Sequence, residues 1–135
     1  MESTHQPHHD DVQFLEDCVN EHNMVRTECR DYLPLAIFHR DEHNAIVAGL
    51  YGFTWAGWLE IKLVWVREDL RGQGLGRHLV EAAEAEARAR GCEHVWLDSY
   101  TFQAPGFYER LGYEVFGALD GYPPPEGRVF LTRKL

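Results

Sequence analysis

The densest chemistry in the 135-residue chain lies in residues 70–80, LRGQGLGRHLV, where Gly72, Gly74 and Gly76 alternate between Arg71 and Arg77. An apolar strand pattern precedes them and a helical pattern follows. The first turn of a helix leaves backbone N–H groups unpaired at the positive end of its dipole, where an anion satisfies several at once. Glycines there remove the Cβ atoms that would block the anion and permit positive φ. The two arginines add charge. The stretch from Arg71 through Gln73 and Leu75 to Arg77 is therefore read as a phosphate or pyrophosphate cradle. A Walker A loop requires GxxxxGK[ST], which is absent, and a GxGxxG dinucleotide turn fails because its last position falls on Arg77 or Leu79. An ATP or NAD protein is a poor fit.

Several elements must position this loop. DDVQFLEDCVNEHNMVRTEC reads as an amphipathic helix capped by Asp10 or Asp11, with Phe14, Leu15, Cys18 and Val25 on its buried side. LPLAIFHRDE and AIVAGLYGFTW read as antiparallel strands, and LEIKLVWVRED as a third, with Leu59, Ile61, Leu63 and Trp65 alternating against Glu60 and Lys62. LGRHLVEAAEAEARARG is a helix with Leu75, Leu79, Ala83 and Ala87 in one buried stripe. Its Glu84–Arg88 and Glu86–Arg90 pairs are expected on the solvated side. HVWLDSY is a buried strand, APGFYERLG a short helix, and YEVFGAL and RVFLTRKL two last strands. The order predicts an α/β (α+β) fold with a mixed sheet.

Arg71-Gly72-Gln73-Gly74-Leu75-Gly76 fits the pattern [RQ]-x-x-G-x-[GA]. With the strand and helix around it, LVWVREDLRGQGLGRHLVEAAEAEARARGC resembles the acetyl-CoA-binding motif of the GNAT superfamily of N-acetyltransferases. VWLDSYTFQAPGFYERLGYEVFG is similar to that superfamily's second block, and the resemblance runs from about Leu33 onward. It implies a GNAT fold: a mixed, mostly antiparallel sheet with two splayed parallel central strands, flanked by helices, as one domain over 1–135 with a flexible leader 1–10.

The resemblance implies an enzyme that moves an acetyl group from acetyl-CoA, its cosubstrate, to a primary amine of a small molecule or peptide by direct attack on the thioester. Tyr108 is then the acid for the departing thiolate, and Glu60 the candidate base. Asp98 or a water chain competes with Glu60, which also stands where an alternating strand would face solvent. Backbone groups of Val64, Trp65 and Val66 would bind the thioester and pantetheine, and residues 71–77 the pyrophosphate. Thr101 stands where relatives often carry asparagine, so Thr101 or Gln103 would replace that contact. The acceptor pocket draws on Asp31, Tyr32, Tyr51, Trp55, Trp58 and Tyr122, since aromatics with carboxylates suit a cationic amine. The alternative function is a non-catalytic acyl-CoA-binding sensor or partner module.

The bulk numbers agree. A net charge of −9, from 13 basic and 22 acidic residues, argues against nucleic acid. No apolar run is long enough to span a membrane, and MESTHQPHHDD lacks the apolar centre of a secretory signal. Three cysteines without a CxxC pair indicate reduced thiols, a cytoplasmic setting and no metal. His5, His8, His9 and His22 lie in or near a polar leader with no fixed ligand geometry. GNAT proteins often dimerise, which leaves room for a homodimer through an exposed C-terminal strand RVFLTRKL.

Overall fold

The computed structural model describes all 135 residues, and they divide into two compact units, residues 1–31 and 32–135. The first unit is built around α1 (His9–Thr27), whose N-cap is His8: its side chain accepts the Asp10 N–H, a position expected for an aspartate. No residue of α1 is buried. Phe14, Leu15 and Val25 are each more than half exposed and Cys18 is exposed, so the expected buried side is not buried.

The second unit carries a six-stranded sheet: β1 (Leu33–Arg40), β2 (Ile46–Trp55), β3 (Trp58–Val66), β4 (His94–Tyr100), β5 (Glu114–Asp120) and β6 (Gly127–Lys134). Spatial order is β1-β2-β3-β4-β6-β5. All neighbours are antiparallel except β3 and β4. The mixed, mostly antiparallel sheet is the expected one. The sheet edges are β1 and β5. RVFLTRKL, read as an exposed strand, lies between β4 and β5 because both of its sides are paired, so it offers no free edge.

The core lies where α2 (Leu75–Ala89) packs on the sheet. Leu79, Val80, Ala83 and Ala87 meet Leu35, Leu50, Leu59, Ile61, Val95, Leu97 and Leu131. Glu84 departs from expectation: it is 2% exposed, not solvated. Its Oε1 accepts the Tyr113 hydroxyl at 2.8 Å, and both oxygens face Arg133 Nη1 at 3.1–3.2 Å. Glu84 lies about 100° around the helix from Ala83, on the side where Tyr113 and, from β6, Arg133 meet it. Glu86–Arg90 is a surface-flanking pair as expected, at 2.8 Å. Arg90 also reaches the Leu33 carbonyl and the Thr54 hydroxyl, tying the end of α2 to β1 and β2.

One irregularity shapes the site. Pairing between β2 and β3 runs Tyr51↔Leu63 and then Gly52↔Ile61, leaving Lys62 as an extra residue on β3. A bulge bends its strand and reverses the in–out phase. Leu59 and Ile61 are buried before it. After it Val64 and Val66 turn towards the core, while Leu63 and Trp65 are 65% and 49% exposed. The strict alternation read through Leu63 and Trp65 therefore fails at Lys62. Gly52 permits the bulge: a Cβ there would sit 2.2 Å from the Glu60 carbonyl oxygen.

Candidate active site

The parallel pairing of β3 with β4 begins at Trp58↔His94 and ends at Ile61↔Leu97, immediately before the bulge. Beyond it β3 continues to Val66 and β4 to Tyr100 without touching. Arg67 N–H donates to Val47 O, and the register Ala48↔Val66, Gly49↔Trp65 continues that ladder. Alternation of an antiparallel ladder then sends the Trp65 N–H to β2 and turns the backbone groups of Val64 and Val66 into the gap. Those groups, apart from the Val66 carbonyl, are thus open to whatever enters the gap.

The gap is the floor of a cleft of about 840 Å³. Along one side lie Val64, Trp65, Val66, Arg71, Gly72 and residues 74–77; along the other lie Leu97, Asp98, Gln103, Phe107 and Tyr108. A single 3₁₀ turn (Glu68–Leu70) leads β3 into the loop. Gly72 and Gly74 have φ of +75° and +82°, which glycine adopts at no steric cost. Gly74 caps α2, and the first intrahelical bond runs from His78 N–H to Gly74 O. The amides of Leu75, Gly76 and Arg77 are thus the free donors of the helix end. Gly76 has no positive φ, and a Cβ on it would lie 3.5 Å from Phe107 and 3.8 Å from Val66, both cleft residues. Its side-chain-free surface therefore faces the cleft.

The expected cofactor residues divide. Val64, Val66, Gly72, Gly74, Leu75, Gly76, Arg77 and Gln103 line the cleft. Arg71 lines it too, yet its Nε donates to Val66 O at 2.9 Å, which clips the loop to the strand. Gln73 turns away, with Nε2 3.4 Å from Asp69 O. Thr101 is occupied elsewhere: its hydroxyl bonds the Glu126 carboxylate and accepts the Gly127 N–H, fastening the end of β4 to β6. Gln103 Oε1 accepts the Tyr100 N–H at 3.0 Å. Arg110, on the same short helix α3 (Pro105–Arg110) as Tyr108, adds a cation to the cleft that the sequence reading omitted.

Tyr108 is half-buried, in edge contact with Tyr113 at 5.8 Å. Loss of solvent, and then the nearby Asp98 carboxylate, push its phenol up to about 12. It is fully protonated at neutral pH. Glu60 pairs with Trp96 one step before the gap opens and is bound to Lys62 Nζ at 2.5 Å. Asp98 lines the gap itself and is bound to Arg128 Nε at 2.6 Å. Of the acceptor-pocket residues, Trp58 stacks on His94 at 4.5 Å, at the closed end of the β3–β4 pair and away from the gap. Tyr122 stands beside Tyr100, at 5.9 Å, on the open end.

Residues 3–113 match the acetyltransferase (GNAT) family. The chain belongs to the GNAT acetyltransferase family. It is 38% identical over 114 residues to the blasticidin-S acetyltransferase of Streptomyces morookaense, covering 82% of this chain and 84% of that one. The crystal structure of an acetyltransferase from Bacillus cereus superposes with a TM-score of 0.83 at 27% identity, covering 100% of this chain and 99% of that one. A Bacillus anthracis GNAT-fold chain, with a TM-score of 0.60 at 20% identity over 69% of this chain and 58% of that one, was solved in complex with acetyl coenzyme A. The protein is an acyltransferase, and GNAT enzymes use acetyl-CoA. One groove holds both the free amides at the start of α2 and the Val64 backbone facing away from β2. No helix is long and apolar enough to cross a membrane.

Proposed function

We propose that the protein transfers the acetyl group of acetyl-CoA to an amine that reaches the thioester through the gap between β3 and β4. The observation that carries this reading is the gap itself. Along it the Val64 backbone and the Val66 N–H face away from β2, with the Val66 carbonyl held by Arg71, and the start of α2 and the protonated Tyr108 phenol line the same cleft.

In this reading the amides of Leu75, Gly76 and Arg77, with the charges of Arg77 and Arg110, hold the pyrophosphate. The backbone of Val64 and Val66 aligns the pantetheine arm and polarises the thioester carbonyl. Acetyl-CoA supplies the activated acyl carbon. Tyr108 donates a hydrogen bond to the sulfur as charge builds there. Outright proton transfer is disfavoured, because a phenol at about 12 faces a thiol near ~8.5, a mismatch of roughly 5 kcal/mol. The amine must arrive neutral, and a lysine-like ammonium costs about 4–5 kcal/mol to deprotonate at pH 7. Asp98, at the gap, is the better placed carboxylate to receive that proton through water; Glu60 lies one residue short of it. Thr101 and Gln73 are assigned structural roles.

The experiment is acetyl-CoA-dependent thiol release with an amine panel, run beside calorimetric titration of acetyl-CoA. Blasticidin S heads the panel because a 38% identical relative is named for it. Binding with thiol release and an acetylated amine by mass supports the reading. Binding without release for any amine supports the sensor alternative. No acetyl-CoA binding would sink both.

A further inference from the structure

The far face of the sheet, beside the open end of the gap, carries a built cation. Arg128 pairs across the ladder with Tyr100, and its guanidinium stands 5.4 Å from the Tyr100 ring, 6.0 Å from Tyr122 and 5.6 Å from Phe130. Such a ring set would ordinarily hold a cationic substrate group. Here the chain's own guanidinium fills it. The acceptor side of the gap therefore presents an ion pair, Arg128 with Asp98, rather than the site for a cation alone that was expected. Only Nε of Arg128 is engaged, on Asp98 Oδ2 at 2.6 Å, and the side chain is 29% exposed. Both Nη groups remain for a ligand. So does Asp98 Oδ1, on a residue that lines the cleft with Tyr108. A guanidinium is the side chain best shaped to take a carboxylate on two parallel bonds.

We infer that the Asp98–Arg128 pair selects an acceptor amine that carries a carboxylate close by, as an α-amino acid does. The ammonium end meets Asp98 and the carboxylate meets the Nη groups of Arg128. The opposite polarity of the pair and of the zwitterion fixes the orientation, and the amine is left pointing at the gap. This inference rests on the acetyltransferase reading and names its substrate class.

The test uses L-phenylalanine and L-methionine against their carboxamides, with acetyl-CoA saturating and thiol release as the readout. The amide's amine is the easier one to deprotonate, which biases the comparison against the expected result. Wild type is expected to favour the acids in kcat/KM by about 10- to 100-fold, the range of one charge-assisted contact. Arg128→Gln should erase the preference mainly through KM for the acid, and Arg128→Lys should keep part of it. Thermal melting and acetyl-CoA affinity of the variants are measured alongside: the lost ion pair and ring contacts should lower the melt modestly, and acetyl-CoA affinity should stay near wild type. Amides used as well as acids, a preference that survives Arg128→Gln, or no turnover of the acids while acetyl-CoA binds, would each overturn the inference alone. Absence of acetyl-CoA binding would strike the underlying reading instead.

Discussion

Removing one oxygen tests the role of Tyr108. In Tyr108→Phe the ring keeps its edge contacts with Phe107 and Tyr113, at 4.9 and 5.8 Å. The hydroxyl makes no bond within the protein, so its loss orphans nothing; no buried side-chain polar atom lacks a partner. Stability should change by less than ~0.5 kcal/mol. The rate should change far more. A hydrogen bond to a developing thiolate is worth about 1.5–3 kcal/mol, which lowers kcat by roughly 10- to 150-fold. Because the contact strengthens only as the sulfur gains charge, KM for acetyl-CoA should move little. The assay is thiol release at saturating acceptor, with melting curves of both proteins. Tyr113→Phe is the control: it deletes the bond to buried Glu84 and should lower stability by ~1–3 kcal/mol with kcat retained. An unchanged kcat for Tyr108→Phe would refute the reasoning. So would a loss carried wholly by KM.

Three further outcomes follow. Gly76→Ala should fold, since its Cβ would make ordinary contacts at 3.5 and 3.8 Å, but should weaken acetyl-CoA binding about tenfold by calorimetry, because the methyl enters the cradle. Glu84→Ala should lower stability by roughly 1–3 kcal/mol in urea melts, since it leaves the buried Tyr113 hydroxyl without its acceptor while Arg133, 34% exposed, can turn to water. Tyr108 has a folded pKa of about 12, above its ordinary value of 10, so its stabilising share is intact below pH 10 and is lost as pH rises towards 12; Tyr108→Phe should flatten alkaline unfolding there by up to about 2 kcal/mol.

The glycine turn was legible because its reason is local: Gly72 and Gly74 answer to positive φ between a strand and a helix, whereas Gly76 has no positive φ and its bare Cα lies against Phe107 and Val66. The strands and α2 were legible from their periodicity. The bulge at Lys62 was not, because it is set by Gly52 meeting Glu60 across the sheet, eight residues apart in the chain. That one event misplaced Leu63 and Trp65. Glu84 was misread for a similar reason: its partners Tyr113 and Arg133 arrive from distant strand ends, and an isolated helix gives no sign of them. The exposure of α1 ran against the amphipathic reading: its apolar residues are only weakly gathered on one side of the helix, unlike those of α2. Asp98 and Arg128 stand 30 residues apart and meet only through the β4–β6 register.

The strand order has a consequence for synthesis on the ribosome. β5 leaves the tunnel before β6, yet its one neighbour in the sheet is β6. β4 likewise has a single four-residue pairing with β3 until β6 adds seven more. A nascent chain that ends before residue 127 therefore holds its glycine loop and its phenol, but no firm wall on which to set them apart. Translation runs at about 5–20 residues per second, so that interval lasts on the order of a second, with two unpaired edges exposed. The cleft is thus completed late and all at once, and pulse-labelled chains should acquire protease resistance and acetyl-CoA retention in the same step.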